Sequence, residues 1–148
     1  MCSSDLSAVY EFITSRKLAA EARDGRLVTE VDLPAAGGRV LCVYPRPLKK
    51  LRLAPDKNYS CGTAGTVAVT LLDAGGTPAP GRQMAQVTIL DPAGATHDES
   101  GFYRMENGTV RIPFRPALND PPGKWRIRVT ERTSGLTADA KLSVAAPR

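Results

Sequence analysis

Apolar and polar residues alternate along most of this 148-residue sequence. The clearest case is KWRIRVTE at 124–131, where the apolar residues Trp125, Ile127 and Val129 occupy every second position. Successive side chains of a β-strand point to opposite faces, so a period of two is typical of strands with one buried face. The 13 glycines and 12 prolines break up any helical spacing. The sequence therefore predicts an all-β protein.

The predicted strands form two groups, separated by Pro45 and Pro47. Proline cannot donate a hydrogen bond to a sheet and stiffens the chain, so a domain boundary is predicted near residue 46. Residues 1–46 then form a partial β-meander. Residues 47–148 form an immunoglobulin-like antiparallel β-sandwich, because seven strands in about one hundred residues is typical of that fold. The predicted strands are 8–13, 18–23, 27–33, 39–44, 48–54, 64–72, 84–91, 101–105, 108–114, 124–131 and 136–144.

Turns and core positions follow from the same pattern. Asp24-Gly25 and Asn107-Gly108 predict two-residue hairpins, whose central residues need positive φ. Trp125, the only tryptophan, is predicted to anchor the core of the sandwich. Alternation predicts that the inward residues carry no titratable group. They are Val67, Val69, Leu71, Val87, Ile89, Val110, Ile112, Phe114, Trp125, Ile127, Val129, Leu136, Ala138, Ala140, Leu142 and Val144.

The meander is too small to hold a core of its own. About forty residues seldom suffice, and the apolar run at 40–43 requires cover on both faces. We therefore expect these strands to belong to a larger sheet. The opening MCSSDL resembles the translated end of a sequencing adapter, which predicts that residues 1–6 are not natural protein and that the chain continues upstream. The alternative is a genuine short polar N-terminus.

The net charge of +5 lies entirely in the second group of strands. Its basic residues are spread over several predicted strands, which favours a solvated surface of mixed charge over a nucleic-acid partner. No apolar run reaches the roughly 20 residues of a membrane span, so no membrane insertion is predicted.

The sequence offers few groups for catalysis, and no catalytic residue, metal site or cofactor is predicted. His97 is the only histidine and lies in the polar stretch DPAGATHDESG, with no apolar surroundings predicted. Glu30 and Asp32 would lie about 6.6 Å apart on one strand face, close to the spacing of an inverting glycosidase. Their alternation with Val31 and Leu33 is more typical of a solvated face, and a small enzyme using them is a third, weaker hypothesis.

Other polar groups have structural explanations. Asp91, Asp98, Glu99 and Glu106 could offer oxygens to calcium, but their spacing is not that of an EF-hand loop. Cys42 and Cys61 could form a disulfide, although Cys42 is more simply a buried apolar residue.

Three aromatic residues are candidates for stacking on a sugar ring. Tyr59 lies in KNYSCG, and Phe102 and Tyr103 lie in SGFYRM, both of which have the composition of loops or edge strands. These residues define an alternative function, a carbohydrate-binding accessory module.

Two stretches, TAGTVAVTLLDAGGTPAPGRQMAQVTILDPAG and NGTVRIPFRPALNDPPGKWRIRVTERTSGLTADAKLSV, resemble the bacterial immunoglobulin-like and macroglobulin-type β-sandwiches of large surface proteins. The resemblance implies a spacer or positioning module without catalytic residues. The stretch YEFITSRKLAAEARDGRLVTEVDLPAAGGRVLCVYPRP resembles the C-terminal β-strands of glycoside-hydrolase-like proteins, with Glu11-Phe12 and Ser15 in place of the usual Asp, Leu and Gly.

Together these observations predict a non-catalytic structural module at the C-terminus of a larger bacterial protein, associated with a glycoside-hydrolase-like enzyme. Its expected partner is the upstream domain of the same polypeptide, and polysaccharide is a second expected partner. An extracytoplasmic location, whether secreted, periplasmic or on the cell surface, is implied by the resemblance alone.

Overall fold

The computed structural model describes residues 7–56 and 58–147. The part described contains strands and turns and no helix, so it has no helix long and apolar enough to cross a membrane. The predicted all-β, immunoglobulin-like sandwich is confirmed. The residues predicted to derive from an adapter, 1–6, lie outside the described residues. The strands are β1 Ala8–Glu11, β2 Arg16–Leu18, β3 Ala20–Arg23, β4 Arg26–Thr29, β5 Leu41–Tyr44, β6 Leu48–Pro55, β7 Tyr59–Ser60, β8 Gly65–Asp73, β9 Arg82–Leu90, β10 Gly101–Glu106, β11 Thr109–Phe114, β12 Gly123–Glu131 and β13 Thr137–Ala145.

Strands β6 to β13 form one hydrogen-bonded ladder in the order β6-β8-β11-β10-β9-β12-β13-β7. β10 and β11 share only the pair Glu106↔Thr109 at their hairpin, so the ladder divides there into two layers. One layer contains β6, β8 and β11, and the other contains β10, β9, β12, β13 and β7. β7 pairs in parallel with β13, whereas the other pairs in the ladder are antiparallel.

The core lies between these two layers and contains most of the predicted inward residues. Trp125 is 1% exposed, and its ring lies 5.4 Å from that of Phe114 in an edge-to-face arrangement. The indole Nε1 donates a hydrogen bond to Pro121 O at 3.0 Å. Four of the predicted inward residues, Val110, Leu136, Ala138 and Ala140, are only half-buried. The predicted packing role of Trp125 therefore agrees with its burial.

Both predicted hairpin turns have the expected backbone. The φ angles are 49° and 73° at Asp24 and Gly25, and 47° and 72° at Asn107 and Gly108. Positive φ at both central residues is the type I′ geometry that suits the twist of paired strands.

The first five strands form two small sheets. β2-β1-β5 is three-stranded, and β3-β4 is a separate hairpin. The predicted strand 18–23 is therefore wrong as one element, because β2 ends at Leu18 and β3 begins at Ala20 in another sheet. The central strand β1 is buried along its whole length. Ala8, Tyr10 and Tyr44 belong to the same buried cluster as the sandwich core.

Candidate functional site

Tyr59 is not the exposed aromatic that its sequence context predicts. Its side chain is 4% exposed, and its ring lies 5.0 Å from that of Phe114. The phenol oxygen accepts a hydrogen bond from Asp56 N at 2.8 Å and donates one to Thr66 O at 2.7 Å. Burial raises the pKa of this phenol. The prediction of an exposed ring is wrong because β7 pairs with β13 and turns the side chain inward.

Phe102 and Tyr103 are neighbours on β10 and point to opposite sides of it. Tyr103 faces inward, is half-buried and donates its hydroxyl to Glu99 O at 2.7 Å. Its ring is therefore not freely available, and burial raises its pKa. Phe102 faces outward and is 65% exposed. Of the three predicted aromatics, only Phe102 presents an open ring, and carbohydrate binding by it stays a prediction.

His97 lies in an apolar environment, contrary to the sequence-based expectation. Its ring packs edge-to-face against Phe114 and Trp125, with centroids 5.6 and 5.3 Å away. Its side chain is only 12% exposed. The prediction is wrong because the loop after β9 folds back on the core, where His97 N donates to Ile89 O at 2.9 Å.

Two carboxylates lie at opposite edges of the His97 ring. Glu99 Oε2 is 3.6 Å from Nδ1, and Asp120 Oδ2 is 3.6 Å from Nε2. Each carboxylate also accepts a backbone hydrogen bond, from Arg115 N and Ala117 N respectively. These groups line an open cleft of about 380 Å³. Glu99 and Asp120 therefore already accept hydrogen bonds from the backbone. The role of the cluster is structural, because it connects the loop after β9 and the loop after β11 to the core.

A larger open groove of about 800 Å³ lies beside β7 and the end of β13. Among the described residues that line it there is no carboxylate, histidine, lysine or arginine. The titratable side chains in this lining are Tyr59 and Cys61, which are only 4% and 3% exposed. Its lining consists of residues 58–63, Leu118 and 143–147.

The remaining carboxylates that the sequence singles out do not form a site. Glu30 and Asp32 are exposed and follow the end of β4 at Thr29, so the strand spacing used to relate them does not apply. In the described ranges, no group of three or more His, Cys, Asp or Glu side chains could hold a metal ion.

The two cysteines in the described residues are free thiols and do not pair. Cys61 is buried, with its sulfur 3.4 Å from Asp120 O. Cys42 is half-buried on β5, and burial raises the pKa of its thiol. Cys42 is thus unpaired, but it is half-buried and not the buried apolar residue that the sequence predicts.

Glu131, at the end of β12, corrects the prediction that no titratable group enters the core. It is 0% exposed. Its carboxylate accepts hydrogen bonds from Thr133 N at 2.8 Å, Ser134 N at 2.8 Å and Ser134 Oγ at 2.5 Å. A buried carboxylate is tolerated when it is saturated by such donors. Glu131 therefore closes the β12–β13 hairpin.

The hairpin around Glu131 meets the β2-β1-β5 sheet in what we call the seam, formed by Tyr10, Ser15, Tyr44, Glu131 and Thr133. Ser15 Oγ donates to Arg132 O at 2.6 Å, and Leu48 N donates to the Tyr10 hydroxyl at 2.8 Å. The Tyr10 and Tyr44 rings lie 5.9 Å apart, edge to face. Burial raises the pKa of both phenols, and the nearby Glu131 charge raises them further.

The sequence contains a signal for Glu131, although Glu131 is not among the predicted inward residues. Counting by two from Trp125 gives Ile127, Val129 and then Glu131, so its parity is that of the core. No comparable local signal exists for Ser15, whose partner lies 117 residues away.

No protein-family model matches the chain, and no characterised protein matches it in sequence. Similar solved structures include the Lin-41 filamin domain, with 17% identity, 67% of this chain and 96% of that chain covered, and a TM-score of 0.48. The CARDB domain of the PF1109 protein from Pyrococcus furiosus has 15% identity, with coverage of 64% and 85% and a TM-score of 0.42. A beta-glucosidase from Listeria innocua has 18% identity, with coverage of 68% and 16% and a TM-score of 0.43.

Proposed function

We propose that this chain is a non-catalytic positioning module, in which the sandwich holds the preceding β-strands in a fixed orientation. The observation that carries the proposal is the seam. Tyr10 and Tyr44 are 3% and 6% exposed, which leaves little freedom for the sheet to turn relative to the sandwich. The two polar contacts of the seam, from Ser15 and to Tyr10, are directional and fix its register.

The distribution of exposed apolar residues supports the same role. Ile13, Leu33, Val40 and Val43 are each more than half exposed and all lie in the first part of the chain. A part of a protein that leaves many aliphatic residues exposed is a candidate interaction site. We propose that an upstream domain of the same polypeptide covers them, and that the sandwich sets the orientation of that domain.

The proposed identity of the parent protein rests on sequence resemblance. We propose a larger bacterial protein with a glycoside-hydrolase-like enzyme upstream and a macroglobulin-type sandwich at its C-terminus, in an extracytoplasmic location. The open reading frame upstream of Ala8 tests this proposal. A frame that continues and encodes such an enzyme supports it, and a stop codon directly upstream contradicts it.

The positioning role is tested by measuring whether the two parts tumble together. Amide ¹⁵N relaxation of the full chain should give one rotational correlation time for residues in β1 and β5 and for residues in β8 and β12. The double variant Tyr10→Ala/Ser15→Ala removes the seam contacts, so β1 and β5 should then report a shorter correlation time while β8 and β12 keep theirs.

A matched control is Val28→Ala/Thr29→Ala on the exposed β3-β4 hairpin, outside the seam. It should leave the correlation times of β1 and β5 unchanged. Independent tumbling of β1 and β5 in the unmodified chain would falsify the positioning role.

The exposed Phe102 ring favours a second candidate function, carbohydrate binding. Aromatic rings offer a large apolar face at low entropic cost, which suits contact with sugar rings. Tyr59 is left out of this candidate because it is buried, and Tyr103 because its hydroxyl and ring already contact the protein.

A further inference from the structure

The layer that carries Phe102 also carries most of the net positive charge of the protein. We define the basic face as the outward side of β9, β10, β12 and β13. It carries two acidic side chains, Glu106 and Asp139, against six basic ones, a net charge of +4 of the +5 of the whole chain. The six are Arg82, Arg104, Lys124, Arg126, Arg128 and Lys141.

Three of the six basic groups on this face have a carboxylate partner. Arg82 and Arg104 lie 3.5 and 3.0 Å from Glu106. Arg128 donates two hydrogen bonds to Asp139, from Nε to Oδ1 at 2.7 Å and from Nη2 to Oδ2 at 3.3 Å. This bidentate geometry is the one that a guanidinium forms with a planar carboxylate.

The other three basic groups, Lys124, Arg126 and Lys141, have no carboxylate within 4.0 Å among the described residues. Arg126 and Lys141 are direct cross-strand partners on β12 and β13. Like charges opposite each other destabilise a sheet. Lys124 lies two residues before Arg126 on the same outward side of β12 and adds to the positive electrostatic potential there.

Two neighbouring cross-strand rows on β12 and β13 each place a basic residue on β12, but only one of them places a carboxylate opposite it on β13. In one cross-strand row Arg128 faces Asp139, and in the next outward row Arg126 faces Lys141. A carboxylate bound between Arg126 and Lys141 would reproduce the neighbouring Arg128–Asp139 pair and relieve the repulsion. The strand spacing puts Lys124, Arg126 and Lys141 within about 8 Å of one another at their backbone positions.

We propose that the basic face binds a polysaccharide of uronic acids. The sugar carboxylates would bind at Arg126, Lys141 and Lys124, and a sugar ring would stack on Phe102. This proposal deepens the second candidate function and is independent of the positioning role. From Arg126 to Phe102 the face spans two strand spacings and about four residues, roughly 16 Å, so the ligand is extended.

The side chains between these groups favour a glycan over a nucleic acid. Gln86, Thr88 and Thr130 point outward between Arg126 and Phe102, and their amide and hydroxyl groups can bond sugar hydroxyls. Binding of single-stranded nucleic acid relies on several aromatic platforms for successive bases. Phe102 is the one outward aromatic residue of the basic face.

Isothermal titration of the full chain with polygalacturonate at 50 and 200 mM NaCl tests the proposal. We expect binding that weakens at the higher salt, since exposed charges are screened. Fully methyl-esterified polygalacturonate has the same backbone without the charges and should bind at least tenfold more weakly. Arg126→Gln/Lys141→Gln should lower affinity for polygalacturonate about 10- to 100-fold, as two charge-assisted hydrogen bonds are lost.

The matched control is Arg52→Gln/Arg111→Gln, which removes the same charge from exposed positions on the other layer. We expect it to change affinity by less than about twofold, because those positions lie beyond the screening length. Both double variants should fold, because the substituted residues point outward. Circular dichroism and the midpoint of thermal unfolding check this.

Four outcomes would overturn the proposal. An equal loss in the control variant would mean that the overall charge, and not this face, binds the polymer. Equal binding of the esterified polymer would leave carbohydrate binding standing and remove the acidic specificity. Tighter binding of an oligothymidylate of matched charge would assign the face to nucleic acid. Absence of binding to either glycan would remove both the acidic ligand and the second candidate function.

Discussion

Apolar and polar residues alternate in both parts of the chain, but strands β1 to β5 bury fewer of their apolar side chains than the sandwich does. Of the buried apolar residues in the described ranges, four lie in β1 to β5 and nineteen in the sandwich. Of the large apolar residues that remain exposed there, seven lie before residue 46 and three after it. The strands of the first part are three or four residues long, whereas those of the second part are up to nine residues long.

Alternation determines which face of a strand is apolar, whereas burial requires a second layer that covers this face. In the sandwich, each layer covers the other, and Trp125 and Leu142 lie between them. In the β2-β1-β5 sheet only one side meets the sandwich, through Tyr10 and Tyr44. The other side carries the cross-strand neighbours Leu18, Val9 and Val43. Val9, on the central strand, is 2% exposed, whereas Val43, on the edge strand β5, is 61% exposed.

The largest expected effect comes from removing the centre of the sandwich. Trp125→Ala should lower the free energy of unfolding by about 3–5 kcal/mol, because a fully buried aromatic ring is lost and a cavity remains. Urea denaturation followed by tyrosine fluorescence measures the change. Phe102→Ala, which removes an exposed ring from the same sandwich, should change the free energy by less than about 0.5 kcal/mol. Equal losses for the two variants would contradict the assignment of inner and outer faces.

The second prediction compares two glycines with the same backbone in the two parts. Gly25 and Gly108 have φ of 73° and 72°. A Cβ at Gly25 meets nothing within 4 Å, whereas one at Gly108 would lie 2.6 Å from Ala79 N and 2.8 Å from Leu71 O. Gly25→Ala carries only the left-handed backbone penalty, about 1–2 kcal/mol at most, and should lower the free energy of global unfolding by less than that, because the β3-β4 hairpin is a separate sheet that can open before the sandwich unfolds. Gly108→Ala should cost about 2–4 kcal/mol, because overpacking is added.

Thermal and urea unfolding of the two glycine variants measures this difference directly. A loss for Gly25→Ala as large as that for Gly108→Ala would mean that the β3-β4 hairpin is packed as tightly as the sandwich. The two turns would then no longer distinguish the two parts of the chain.

The sequence predicts the sandwich well because its strands are long and each inward residue has a partner across the core. The I′ turns are equally predictable, since only Asp, Asn and Gly tolerate their φ values at low cost. The first part is less predictable because its short strands are ordered by distant contacts. Ser15, for example, is held by Arg132.

The candidate sites depend still more on contacts that are distant in sequence. Alternation places Phe102 and Tyr103 on opposite faces but does not say which face is outward. Tyr59 turns inward because β7 pairs with β13, and His97 because a polar loop folds over Phe114 and Trp125. The pairing of Arg126 with Lys141 follows from the hairpin at Ser134-Gly135, but the net charge of the face also requires the order of β9, β10 and β12.

The smallest expected effect concerns a like-charge pair that occurs in each part. Arg126 faces Lys141 in the sandwich, and Arg23 faces Arg26 in the β3-β4 hairpin. Lys141→Glu replaces repulsion with attraction at the first pair and should raise the free energy of global unfolding by about 0.2–1 kcal/mol. Arg26→Glu makes the same change at the second pair. It should leave global unfolding unchanged, because that hairpin is a separate two-stranded sheet that can open before the sandwich unfolds.

Urea denaturation at low and high salt separates these outcomes, since the gain from Lys141→Glu should shrink as salt screens the charges. A salt-independent gain would point to packing and away from charge. A loss of stability for Lys141→Glu would mean that the two cations are not in repulsive contact. An equal gain for Arg26→Glu would show that the hairpin unfolds together with the sandwich. If the basic face binds an acidic glycan, Lys141→Glu should also weaken that binding while it stabilises the fold, because a residue kept for binding need not be the one that stabilises the free protein best.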